Sequence, residues 1–219
     1  MKRCLSFILP AGILCIVFAS CSNKAPKESR FIPKDAAVVI SIDPGALKNK
    51  LQNGGISLDS IWAKGFEKDS TSKEDQQKIA DLRNAAGINW NEKIHFFNFL
   101  QKENKKGNVM NLLFSISDSA AFKKYMEGLT WEGKKAIEKT KEFDYLNLSN
   151  DNILAWNDKQ ALVMFYENKI VPYYDSVNMR FVIPEKKDKK KEVLLEITRL
   201  FTQKESESLA SVKEFTQMF

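Results

Sequence analysis

The sequence is short of the residues that most site chemistry needs: its 219 positions hold three cysteines, one histidine and five arginines. Cys4 and Cys15 lie inside an apolar N-terminal run, and Cys21 closes it. With that run read as a cleaved signal and Cys21 as its lipid acceptor, the mature domain keeps no free thiol. Disulfides, cysteine nucleophiles and cysteine-ligated metals are then excluded. His95 is the only histidine, so a zinc site built from histidine pairs is excluded and a Ser-His-Asp triad is not expected. The nine glycines never reach the spacing of a phosphate loop or a dinucleotide fingerprint. Basic residues outnumber acidic ones, 34 against 28, but 29 of them are lysine. Readers of bases and phosphates lean on the bidentate fork of arginine, so no nucleic-acid partner is expected. No cofactor and no metal are expected, and no residue is marked as catalytic.

What is present begins with an address. Met1-Lys2-Arg3 precedes an apolar run from Cys4 to Ala19, interrupted only by Ser6, Pro10 and Gly12, and small residues lead into Cys21. This is signal-peptide anatomy, and the run is too short and too weakly flanked for a permanent membrane span. Phe18-Ala19-Ser20-Cys21 resembles the lipobox of bacterial lipoproteins, with Ala19 and Ser20 in the small positions at the cleavage point. The resemblance implies that residues 1–20 are removed and that the Cys21 thiol takes the diacylglycerol. Two or three acyl chains, palmitate among them, then hold the chain at a bilayer. Ser22 follows the cysteine and no acidic residue comes before Glu28, which resembles sorting to the outer membrane, facing the periplasm.

Residues 21–30 are polar and read as a flexible tether. An ordered domain is expected from 31 to 184. Ala36–Ile42 is a β-branched run that reads as a buried strand, and Asp43-Pro44 then opens a short helix through Leu47 and Leu51. Gly87 reads as a helix C-cap. Ile94–Leu100 and Val109–Ile116 read as a β-hairpin, with Met110, Leu112, Phe114 and Ile116 on one face. Asp118 is placed to cap a helix whose stripe is Phe122, Tyr125, Met126 and Leu129. Strands are expected near 142–148, 153–156 and 161–166. The fold class is therefore α+β, a mainly antiparallel sheet with helices packed on one side. Residues 39–51 and 113–126 share a strand, a capping Asp and A-[Leu/Phe]-K-x-x-[Leu/Met], an echo that would make two similar half-domains. Residues 185–219 read as a charged loop and helical segment that starts a truncated second part.

Candidate sites are few. Ser70-Thr71-Ser72-Lys73 matches S-x-x-K, but its companion motifs are missing and its surroundings are polar, so it reads as a chance match. His95, between apolar neighbours on an expected strand, reads as structural packing. Lys186–Lys191 is a solvated charge block that would also suit anionic headgroups. Ser60, Ser70, Ser119 and Ser176 each follow an Asp in triplets resembling the D-[S/T]-aliphatic acceptor of periplasmic O-glycosylation. Carboxylates are plentiful, yet no pair is marked by context.

Phe31 to Leu51, FIPKDAAVVISIDPGALKNKL, resembles the start of the mature part in a family of uncharacterised Gram-negative envelope lipoproteins, which opens with I-P-x-D-A and a Val/Ile-rich strand. The resemblance implies an address and a style of fold, and carries over no catalytic residue. The expected role is a non-catalytic binding or interaction module at the outer membrane, attached through its N-terminal lipid and meeting an envelope protein partner. The rival expectation is a carboxylate-dependent hydrolase acting on envelope or glycan substrates. Growth with an alkyne analogue of palmitate is expected to label the chain, and Cys21→Ser to abolish the label. Label that survives the substitution would remove the anchor.

Overall fold

A computed structural model of the chain describes residues 25–55, 77, 80–81, 86–99, 107–131, 133–149, 152–168, 172–183 and 188–218. Seven strands form one sheet: β1 (Ala36–Ile42), β2 (Ile94–Phe99), β3 (Gly107–Ser115), β4 (Glu138–Lys139), β5 (Asp144–Asn147), β6 (Asn152–Trp156) and β7 (Gln160–Asn168). Their order is β1-β2-β3-β7-β6-β5-β4, and every pair is antiparallel. A separate two-stranded ribbon, β8 (Tyr173–Asp175) with β9 (Arg180–Val182), follows. Among the described residues, the helices with both ends described are α1 (Pro44–Asn53), α2 (Ser119–Gly128), α3 (Lys190–Thr202) and the short α4 (Lys213–Thr216).

The α+β class and the antiparallel sheet expected from the sequence are those of the structure. The helices, however, divide between both faces of the sheet. On one face α2 sets Phe122 and Met126 against Leu146, Leu154, Trp156, Ala161 and Val163. On the other, α3 sets Val193, Ile197 and Leu200 against Phe97, Leu113, Ile153, Leu162 and Met164. The alternation along β3 explains this: Val109 and Leu113 join the α3 side, while Leu112 and Phe114 join the α2 side. A central strand with apolar side chains in both registers must be covered twice.

The two echoing units are both real and share their chemistry. The Asp43 carboxylate accepts the Ala46 N–H at 2.7 Å, and the Asp118 carboxylate accepts the Ala121 N–H at 2.9 Å. Each satisfies an orphan donor of a helix N-terminus. Both units start from strands of the same sheet, β1 at its edge and β3 inside it. Their helices also differ, because α1 buries no side chain. At the other end of α2, the Lys134 ammonium donates to the carbonyls of Met126, Glu127 and Leu129, where a cation complements the helix terminus.

Three expectations are corrected. The tether does not extend to residue 30: Lys27–Phe31 form a 3-10 turn in which Glu28 and Ser29 are buried. Residues 190–216 do not begin another part, because α3, Leu209 and Phe215 complete the core on one face of the sheet. The Leu209 N–H donates to the Ile32 carbonyl at 2.8 Å and the Gln203 amide to the Arg30 carbonyl at 2.7 Å, so this segment and the N-terminal turn lock together. Finally, β1 is an edge strand and mostly exposed, where a buried strand was expected.

Gly87 has φ 66°, the left-handed conformation of a C-cap, and a Cβ there would lie 2.2 Å from the Asp118 carbonyl oxygen. Gly87→Ala is expected to cost at least about 1–3 kcal/mol. Asp118→Ala should cost about 1 kcal/mol, and Asp43→Ala less, since fraying of α1 uncovers no buried side chain. Urea denaturation of the three variants checks the order, which equal losses from the two Asp variants would contradict.

Candidate functional site

The N-terminal turn brings a carboxylate into the interior. Glu28 meets three strands there: the Ser115 hydroxyl donates to its Oε1 at 3.1 Å, and the Gln160 amide donates to the Ser115 hydroxyl at 3.0 Å. Its Oε2 lies 3.9 Å from Nε2 of His95, whose Nδ1 shares a 2.8 Å hydrogen bond with the Ser41 hydroxyl. Burial pushes the Glu28 carboxyl up, but the facing imidazole, Glu92, its own backbone N–H and Ser115 outweigh it and hold it down at about 2. Glu92 is raised, chiefly because its carboxyl meets that of Glu28. Each of two neighbouring carboxyls opposes ionisation of the other, and here the two shifts run in opposite directions.

Ser41, His95 and Glu28 thus stand in line as hydroxyl, imidazole and carboxylate, the arrangement that the sequence had been read to exclude. One histidine suffices for it. The line is not a relay, because His95 Nε2 makes no hydrogen bond among the described residues and the carboxylate, 3.9 Å away, does not fix the imidazole as a triad requires. The line works instead as a clasp, fastening the N-terminal turn to β1, β2, β3 and β7.

A polar cleft of about 310 Å³ opens beside the start of α2, lined by Lys123, Lys139, Lys141, Glu142, Asp144 and Asp158 among others. Its charges cancel, and Lys123 is already paired with Asp144 at 3.0 Å, which raises the ammonium pKa. The helix N-terminus beside it is occupied by its Asp118 cap. Among the described residues, no group of three or more His, Cys, Asp or Glu is placed to hold a metal.

The surface that stands out is apolar. On the α2 face, the cross-strand row Ile40, Phe96, Leu112, Val163, Leu154, Leu146 runs from a side chain 56% exposed to one fully buried. In the next row, Val38, Asn98, Met110, Phe165, the apolar members on β1, β3 and β7 are exposed, while Asn98 on β2 is half-buried. Val38, Ile40, Ile42, Met110 and Phe165 are each 40–56% exposed and form one flat patch reaching the free edge of β1. Contiguous apolar surface rather than scattered residues is what marks an interaction site.

The sequence-selected residues fall as follows. Ala19, Ser20, Cys21, Ser60, Ser70, Trp62 and Lys186 lie outside the described residues. Ser119 is half-buried at the start of α2, its hydroxyl 3.5 Å from Asp158, and Ser176 is exposed in the turn between β8 and β9. Trp156 is buried in the core, and Trp131 packs against its edge beneath the Lys134 ammonium. The patch itself was missed, though period-2 alternation of Val38, Ile40 and Ile42 was there to be read. Among the described residues, no helix is long and apolar enough to cross a membrane. No protein-family model, no curated protein and no solved structure matches the chain.

The opposed shifts of the clasp carry a pH dependence. Glu28, lowered on folding, stabilises above its unfolded value and loses that contribution as pH falls toward about 2. Glu92, raised, has the opposite sign and loses stability as pH rises through its folded value. Glu92→Gln should therefore hold or raise stability at neutral pH, whereas Glu28→Ala should lower it by about 1–3 kcal/mol by orphaning the buried Ser115 hydroxyl. Urea midpoints between pH 2 and 8 test this, and unchanged neutral stability in Glu28→Ala would refute the clasp.

Proposed function

We propose that the chain is an outer-membrane lipoprotein, held through Cys21 on the periplasmic side, that acts as a non-catalytic binding module. Its partner is an envelope protein, and the contact is the open half-face of the sheet. The observation that carries this reading is the exposed apolar set Val38, Ile40, Ile42, Met110 and Phe165, reaching β1, the edge strand of the sheet among the described residues. Such a surface offers area without depth, as protein interfaces do, and it lacks the convergent polar groups of a ligand pocket. The free edge of β1 adds backbone donors and acceptors that a partner strand can pair.

A carboxylate hydrolase draws less support. Glu28, the carboxyl held low, is buried at 2% exposure and so does not face an open cleft as the carboxylates of a glycosidase pair do. The polar cleft carries acids and lysines in equal number. Of the two acceptor triplets among the described residues, the one around Ser176 is the better presented to a glycosyltransferase, lying in an exposed turn.

Chemical cross-linking in intact cells, followed by pull-down of the tagged full chain, is expected to give a discrete complex. Ile40→Glu with Met110→Glu should remove it while circular dichroism and the thermal midpoint stay near those of the parent, because both side chains are already half in water. A complex unaffected by the double substitution would place binding elsewhere.

A further inference from the structure

We propose that the β8–β9 ribbon is an arm that docks on the open sheet face of a second copy of this chain, each copy covering the other. The inference rests on reading that face as a binding surface, and names its occupant. Among the described residues, fourteen large apolar side chains are exposed. Five lie on the open face, and six, Tyr173, Tyr174, Val177, Met179, Phe181 and Ile183, lie on the ribbon and its flank at 52–88% exposure. Consecutive residues Tyr173 and Tyr174 point to opposite sides of a strand, so both sides of the ribbon are bare.

The ribbon is built to hold a shape. The Asp175 Oδ1 accepts the N–H groups of Val177 and Asn178 at 2.9 and 3.1 Å, its Oδ2 accepts the Asn178 side-chain amide at 2.7 Å, and the Tyr174 and Phe181 rings pack edge to face at 5.3 Å. A lone two-stranded ribbon is marginal in water, so preserving this one calls for a surface to lie on.

Several facts select a second copy. The ribbon carries Asp175 and Arg180 as its own charges, which cancel, as suits contact with an uncharged surface. It also leaves the sheet at the wrong end for the anchored bilayer. Glu28 packs where β3 ends and β7 begins, at Ser115 and Gln160, whereas the ribbon starts five residues after Asn168, the last residue of β7. Nine residues of strand separate those ends by about 30 Å. The open face is as uncharged as the arm, Asn98 being the polar member of its rows. Because each copy carries both arm and face, a two-fold pair satisfies all four surfaces at once. At about 100 Å² each, the eleven side chains supply roughly 1,000 Å² per copy, above the ~800 Å² per partner of a stable interface.

The test places a photoreactive benzophenone amino acid at position 179 of the full chain, and in a second strain at position 110, and irradiates intact cells. The expected product from position 179 has twice the mass of the chain, and its joined peptide maps to residues 36–42, 109–112 or 163–166. Ile40→Glu should reduce its yield at least tenfold. A product joining position 179 to another protein, or to residues of the same chain, overturns the arm exchange. If position 110 then still captures a different protein, the reading of the face as a binding surface stands. If neither position yields a product, both fall.

Discussion

Covering both faces of a seven-stranded sheet is the constraint on which the rest of this structure depends. Strands about 4.8 Å apart make such a sheet roughly 30 Å wide, while a helix with its side chains is only about 10 Å across. One face is fully served, by α3, the N-terminal turn and the segment around Leu209 and Phe215. The other receives α2, ten residues long, which covers the half built on β7, β6 and β5. Helix α1 buries no side chain, so it leaves the uncovered half as it is. The open patch is thus what remains when the described helices have been spent.

The served face depends on an unusual bargain at its edge. Glu28 brings a carboxylate into the interior, where an ionised group is tolerated only with partners in place. Ser115 and Gln160 provide hydrogen bonds, and His95 faces it from β2. On the far side of this face, Glu138 gathers the Tyr145 hydroxyl at 2.6 Å, the Asn147 amide at 2.9 Å and the Lys190 ammonium at 2.8 Å. These hold its carboxyl below the usual range and fasten the start of α3 to β4 and β5. The exposed pair contributes less than the buried clasp, because water screens it.

Local pattern was enough where an element is decided by its own residues. The β2–β3 hairpin, the Asp43 and Asp118 caps, the Phe122–Met126 stripe and the three strands after residue 142 all read directly from the chain. It failed where distant partners decide. Glu28 reads as tether because nothing near it in sequence announces Ser115, 87 positions away. Strand β1 misled for a different reason: one side carries the half-buried Val39 and an exposed Ser41, and the other carries Val38, Ile40 and Ile42. Hydrophobic alternation states which side is apolar, and here the more apolar side is the one without a cover. The ribbon was missed because two three-residue strands fall below the length at which periodicity can be recognised.

An inverted edge strand explains why the binding reading is preferred to a packing accident. A solvent-facing strand edge is normally blunted with charge, proline or a bulge that turns it away. Strand β1 does carry a bulge, between Ala36 and Val38, but beyond it Val39 to Ile42 pair with β2 in unbroken register, without a charged side chain. Substituting a charge at Ile40 would cost the fold little, since that side chain is already half in water. Retaining three aliphatic residues in alternation there has no folding benefit among the described contacts, and it carries the hazard of unwanted pairing. The arrangement makes physical sense when the exposed row is normally met by another surface, for which the same side chains supply the driving force.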